Sequence, residues 1–199
     1  MSGAIEFFFD YGSPYSYLAN ALLPAIAKER ERSLVYRPFL LGGVFKATGN
    51  QSPAMEPIEA KRAYGGVTMR RSVERYGVDF KPNPFFPINT LPLMRMACAA
   101  QADGVFDALH AAVYPAFWRD GLDMGDTAIT AEVLTKAGLD ATGLAERSTD
   151  DAVKNSLRAN TEEAVARGAF GAPTVFFGDE MFFGADHLSY LEEKLEAGA

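Results

Sequence analysis

The chain has 199 residues, of which 48% are hydrophobic and 23% charged, and its net charge is −7. A chain of this length and composition buries a good core and is far from disorder, and an acidic balance without a basic stripe argues against nucleic acid as a partner. No apolar stretch approaches the ~20 residues of a membrane span. The single cysteine excludes an internal disulfide and fits a reducing compartment, and two histidines and one cysteine spread along the chain form no metal constellation.

The opening residues enter an apolar run with no basic region or cleavage pattern, so no secretory signal is expected and the cytoplasm is the expected location. Ile5 to Phe9 is apolar and aromatic and of strand length. Gly12 is a turn residue, and Pro14 suits the first position of a helix, where its missing N–H costs nothing. Leu18, Leu22, Ile26 and Ala27 recur at helical spacing, with Pro24 expected to kink that helix. Ser13 therefore falls at the N-cap, where unpaired N–H groups and the positive end of the helix dipole favour an anion or a thiolate. As a plain helix cap, the same serine needs no further role.

Leu34 to Phe39 reads as a second strand, and Leu40 to Gly43 leaves the sheet. Thr48 to Pro57 is a polar loop, followed by a helix from Ile58 to Tyr76 that ends at Gly77 and is weakened in its middle by Gly65 and Gly66. Arg62, Arg70, Arg71 and Arg75 on this helix stand among acidic residues and read as a solvated face. Asp79 to Pro92, with four prolines, is extended and irregular. Helical periodicity then covers Leu93 to Asp103, Val105 to Trp118, Thr130 to Ala137, Ala141 to Arg147 and Thr149 to Arg167, with Asp126 or Thr130 as one cap. Cys98, between two alanines on an apolar helix, reads as an inert core thiol, and Phe117 and Trp118 as core or the wall of a pocket.

Near the other end, Thr174 to Phe177 and Met181 to Phe183 flank the tight turn at Gly178-Asp179 and form a hairpin. Pro173 opens the first of these strands, a position that proline tolerates only at an edge or an irregular entry. Strands at both ends and helices between them give the order βαβ, helices, ββα. This is an α/β thioredoxin fold with a large all-helical insertion: residues 1–43 and 168–199 form a discontinuous thioredoxin-fold domain, and residues 44–167 the insertion.

Four segments in order, Phe9–Ala19, Arg37–Asn50, Pro87–Thr90 and Phe170–Thr174, resemble the 2-hydroxychromene-2-carboxylate isomerase family, related to kappa-class glutathione transferases and, further off, to disulfide-bond oxidoreductases. The similarity runs over nearly the whole chain, from Ile5 to Leu191. It implies glutathione as a thiol cofactor and a loop at Ala172–Pro173, with a cis bond, lying against the start of the first long helix. It further implies that Ser13 activates the thiol, that Asn50 and Lys61 hold the glycine end of glutathione, that the Ala172 backbone pairs with its cysteinyl part, and that Asp186 binds the γ-glutamyl ammonium. Where kappa-class members often have serine and arginine around this aspartate, this chain has Ala185 and His187.

The chemistry is coherent with these roles. An unperturbed thiol ionises at about 8.5, and a hydroxyl donor together with a helix N-terminus favours the thiolate. Lys46 is a candidate partner for a substrate carboxylate, and Asn89, beside Phe85 and Phe86, a candidate group for an aromatic substrate. For each of these side chains a second reading stands: solvation for Lys46 and Lys61, a helix cap for Asp186, loop stabilisation for Asn89. The expected activity is a glutathione-dependent isomerisation between 2-hydroxychromene-2-carboxylate and trans-o-hydroxybenzylidenepyruvate-type compounds. The alternatives are a kappa-type transferase or peroxidase and a non-catalytic thioredoxin-fold binding module. A homodimer is expected, with the aromatic pairs Phe85-Phe86 and Phe182-Phe183 offering partner surface.

Overall fold

Ile5–Phe9 forms β1, the second strand of a four-stranded sheet, and it is buried on both faces. This explains why it reads as a continuous apolar run rather than an alternating one. In the computed structural model, which describes residues 3–197, β1 is followed by α1 (Pro14–Glu29), β2 (Leu34–Pro38), α2 (Leu41–Thr48) and α3 (Glu59–Tyr76). Next come α4 (Leu91–Ala102), α5 (Phe106–Trp118), α6 (Thr127–Lys136), α7 (Ala141–Arg147) and α8 (Asp151–Ala166). The chain returns to the sheet with β3 (Thr174–Phe177) and β4 (Glu180–Phe183) and closes with α9 (Leu188–Ala197). The strand order is β2-β1-β3-β4, with β1 parallel to β2 and antiparallel to β3, so the expected βαβ and ββα halves meet along β1. Among the described residues no helix is long and apolar enough to cross a membrane.

Phe7 and Phe9 point into the larger core with residues of α1, α4, α5 and α9, while Phe8 points the other way, into a smaller core with Phe39, Val44, Ala164 and Phe176. Val44 belongs to α2 and Ala164 to α8, so α8, within the interval expected as insertion, covers the second face of the sheet. The helix α2 was not expected from its sequence, where two glycines stand in the first turn. It forms because Leu41 N–H donates to the buried carboxylate of Asp10 (2.9 Å) and because Gly43 lets it approach α8, where an added Cβ would come within 3.1 Å of Thr161 Cγ2. Helix α1 continues through the exposed Pro24, and α3 runs unbroken through Gly65 and Gly66. The Ala172–Pro173 bond is cis as expected, and Phe86–Pro87 is cis as well. Phe182 is buried and Phe183 packs with its ring tilted against Phe170, so this pair does not offer the apolar surface expected of it; Phe85 is 49% exposed.

One polar group lies within the larger core. His110 of α5 is 7% exposed and surrounded by Phe9, Tyr36, Phe106 and Tyr114. Its Nε2 lies 2.7 Å from Asn20 Oδ1, an oxygen that can only accept, and its Nδ1 lies 3.1 Å from Tyr11 Oη. The network therefore assigns the proton to Nε2 and leaves Nδ1 to accept from the tyrosine. Burial holds the imidazole neutral, with its pKa lowered to about 3.

Because His110 titrates near 6.5 once unfolded, its contribution to stability is complete above that pH and is lost as pH falls below it towards the folded value. Between pH 6.5 and 5 the loss is about 2 kcal/mol. Asp10 has the opposite sign, since burial raises its pKa, so the comparison must isolate the histidine. Urea unfolding of His110→Gln, which cannot titrate, is expected to show a shallower fall in stability over this range than the parent; parallel curves would contradict the assignment.

Candidate functional site

Three helix starts converge on the carboxylate of Asp10, the residue that follows β1. Its Oδ1 accepts from Gly12 N–H (2.9 Å), and its Oδ2 accepts from Leu41 N–H at the start of α2 (2.9 Å) and from Thr90 Oγ1 at the start of α4 (3.1 Å). Its carbonyl accepts from Ser13 N–H (3.0 Å), the cap of α1. Asp10 is 1% exposed, and burial raises its pKa while the bonds from Leu41, Gly12 and Thr90 oppose that rise. All three side-chain contacts are donors, so the group serves as an acceptor-only carboxylate. Gly12 is needed for close approach here: a Cβ at this position would lie 2.8 Å from Thr90 Cγ2.

The turn so held presents Ser13. Its Oγ accepts from Ser16 N–H (3.1 Å), the cap interaction expected, and donates to Ala172 O (3.0 Å) across 159 residues of chain. The loop at cis-Pro173 thus lies against the start of α1. Two backbone donors at this junction, Tyr15 N–H and Ala172 N–H, have no protein acceptor among the described residues. Both residues line a cavity of about 1130 Å³.

That cavity gathers most of the residues singled out in the sequence. Ser13, Asn50, Lys61, Ala172 and Asp186 line it, and Pro173 is buried directly behind Ala172. Asn50 Nδ2 donates to Phe170 O (2.8 Å), which ties the loop after α2 to the cis-proline loop. Asp186 lies in a 3-10 turn, Ala185–His187, and accepts hydroxyls from α3 rather than a backbone N–H of its own helix. Lys46 and Asn89 are not brought to the cavity. Lys46 is an exposed residue of the last turn of α2, and Asn89 Oδ1 accepts from Leu91 N–H (3.1 Å), the loop-stabilising role that was its second reading.

Trp118, read as core or the wall of a pocket, is both: it is 2% exposed, with Phe80 stacked on it (5.7 Å, 17°) and Phe86 tilted against it (5.4 Å). Other lining residues escaped the sequence reading. Of the two asparagines in the proline-rich segment, Asn83 and not Asn89 lines the cavity: its Nδ2 donates to Phe117 O and Leu122 O (2.8 Å each) and its Oδ1 accepts from Phe85 N–H (2.8 Å). Arg62 and Arg70 are exposed, as the solvated-face reading has it, and they also line the cavity from α3. The missed signal was the spacing Arg62, Gly66, Arg70 with Met69 and Val73, which places these residues on one stripe of a helix. Among the described residues no group of three or more His, Cys, Asp or Glu side chains is arranged to hold a metal ion.

Comparison with known proteins agrees with this architecture. Residues 4–196 match the DSBA-like thioredoxin domain. A 2-hydroxychromene-2-carboxylate isomerase of Sphingobium xenophagum is 31% identical over 198 residues, covering 98% of this chain and 99% of that one. Human glutathione S-transferase kappa 1 is 28% identical over 204 residues, covering 96% and 90%. The solved structure of a 2-hydroxychromene-2-carboxylate isomerase superposes with a TM-score of 0.85 at 28% identity, covering 98% of this chain and 95% of that one. The chain belongs to the DSBA-like thioredoxin family and, within it, to the 2-hydroxychromene-2-carboxylate isomerases.

The packing of Gly12 is directly testable. Gly12→Ala is expected to destabilise the protein by about 1–3 kcal/mol, because Thr90 is buried and bonded and cannot move away freely. Thr90→Ser removes the clashing methyl while keeping the hydroxyl on Asp10, so the double variant should recover most of that loss in a denaturant titration. A neutral Gly12→Ala would show that the turn is not held as described.

Proposed function

We propose that this isomerase uses glutathione and interconverts 2-hydroxychromene-2-carboxylate and trans-o-hydroxybenzylidenepyruvate-type compounds. The observation that carries the reading is the junction of Ser13 and Ala172: a hydroxyl at a helix start, bonded to the cis-proline loop, on the wall of a cavity with an aromatic side. The donor set suits glutathione. Ala172 N–H is unpaired and available to a peptide-like ligand, Lys61 and Asn50 line the cavity with groups that can receive a carboxylate, and Asp186 with one that can receive an ammonium. Bound there, glutathione would supply a nucleophilic sulfur that adds to a conjugated ring system and departs again, with no net redox change.

The residues of the chain prepare for that sulfur in a defined way. Ser13 Oγ is held in place by Ser16 N–H, so rotation about the Cβ–Oγ bond alone turns its proton from Ala172 O towards a thiolate. Tyr15 N–H and the helix dipole add to the same stabilisation without moving. The chain cannot use its own thiol: Cys98 is buried, and its pKa is pushed up to about 11. Phe80, Phe86 and Trp118 provide an apolar aromatic wall for an aromatic substrate. Arg70, which lines the cavity and has no ion pair among the described residues, is better placed than Lys46 to meet a substrate carboxylate. We also place the protein in the cytoplasm as a homodimer.

The test is an anaerobic assay of the purified protein on a chromene carboxylate, with and without glutathione, beside conjugation of glutathione to a standard electrophile. Turnover of the chromene only when glutathione is present supports the proposal. Conjugation alone would favour the kappa-type transferase, and inactivity in both a binding module. Ser13→Ala is expected to keep its fold, at a cost of about 1 kcal/mol for the lost cap, while kcat falls about a hundredfold. Turnover equal to the parent across neutral pH would remove Ser13 from the chemistry.

A further inference from the structure

Helix α3 forms one wall of the cavity, yet the residue it buries is a serine. Of its 18 residues, Ser72 is the buried one, 5% exposed, while Met69 and Val73 are only partly covered by the core. Burying a hydroxyl is unfavourable unless it is bonded. Ser72 Oγ donates to Asp186 Oδ1 at 3.0 Å. One turn further along, Tyr76 Oη lies 3.4 Å from the same oxygen and 3.5 Å from Ala185 O. Burial, aided by the charge of Asp186, raises the Tyr76 phenol, which therefore stays a donor at neutral pH.

These bonds leave a specific vacancy in the partners of Asp186. Ser72 donates to Oδ1, Tyr76 Oη shares its proton between that oxygen and Ala185 O, and Oδ2 has no bonded partner among the described residues. No cation of the described chain pairs with this carboxylate, and the neighbouring His187 uses its Nδ1 on Phe183 O (2.8 Å). The flanking residues Ala185 and His187 supply no hydroxyl, and α3 supplies it from 114 positions away.

We propose that Ser72 and Tyr76 are positioning residues that fix Asp186 through one carboxylate oxygen and present the other to the ammonium of an amino-acid end, here the γ-glutamyl amine of glutathione. The inference rests on the glutathione reading. It makes α3 a determinant of cofactor affinity through contacts remote from the sulfur, so ground state and transition state are affected alike.

The experiment is calorimetric titration with two peptides, glutathione and glutaryl-cysteinylglycine, which lacks only the amino group. Ser72→Ala is expected to weaken glutathione about tenfold, to leave the deaminated peptide within about twofold of the parent, and to keep kcat at saturating glutathione. Tyr76→Phe should act in the same direction and less strongly, Ser72→Thr should restore affinity by keeping the hydroxyl, and the effects of Ser72→Ala and Asp186→Asn should not add. Equal weakening of both peptides by Ser72→Ala and Tyr76→Phe would mean that the hydroxyls serve only to pack α3, and would overturn the inference. Unchanged glutathione binding in both variants would overturn it too while leaving the glutathione reading intact. A parent protein that binds neither peptide would overturn both.

Discussion

The arrangement depends most on a buried negative charge. Asp10 leaves β1, the most buried strand, and binds with two oxygens and one carbonyl the starts of α1, α2 and α4. Helix starts carry unpaired N–H groups and partial positive charge, so one carboxylate among them offsets several donors at once. Desolvation works against this charge, and the bonds it accepts are what make it tolerable. Ser13 is oriented because Asp10 leaves the turn before it no freedom, with Gly12 pressed against Thr90.

The second constraint is sheet pairing. β1 and β3 come from opposite ends of the chain, and their antiparallel register sets Phe8 against Thr174, which brings the cis-proline loop beside the start of α1. The chemistry then divides by origin. On the proposed function, the sheet and its first helix would supply the sulfur site, while the segment between β2 and β3 supplies the walls: α3 with its cations, the Phe80–Phe86 segment with its aromatic rings. A thioredoxin-like frame that lacks its own exposed cysteine would in this way house a borrowed thiol, since the features that stabilise a thiolate belong to the backbone and one hydroxyl.

Local signals read well from the sequence. Ser13 before Pro14, the hairpin turn at Gly178-Asp179 and Pro173 at a strand entry each depend on neighbours within a few residues, and each lies where expected. The failures come from contacts made at a distance. Helix α2 starts on a carboxylate 31 residues earlier and packs on α8, so its glycines mislead any local reading. Asn89 and Asn83 stand in the same proline-rich segment, and only the path of that segment past Trp118 decides which amide faces the cavity. Arg62 and Arg70 are exposed, as read, but that their stripe, shared with Gly66, Met69 and Val73, borders a cavity depends on how α3 packs and not on local sequence. For Lys46 the local charge was visible and the direction of its helix was not.

The central claim is that the start of α1 and the cis-proline loop stabilise the thiolate of a bound ligand. Following the absorbance of glutathione near 240 nm against pH, with protein in excess, measures this without turnover. Bound to the parent protein, the thiol should ionise well below its ordinary value of about 8.5, and bound to Ser13→Ala it should move back towards that value. A bound thiol that ionises like the free one would contradict the account.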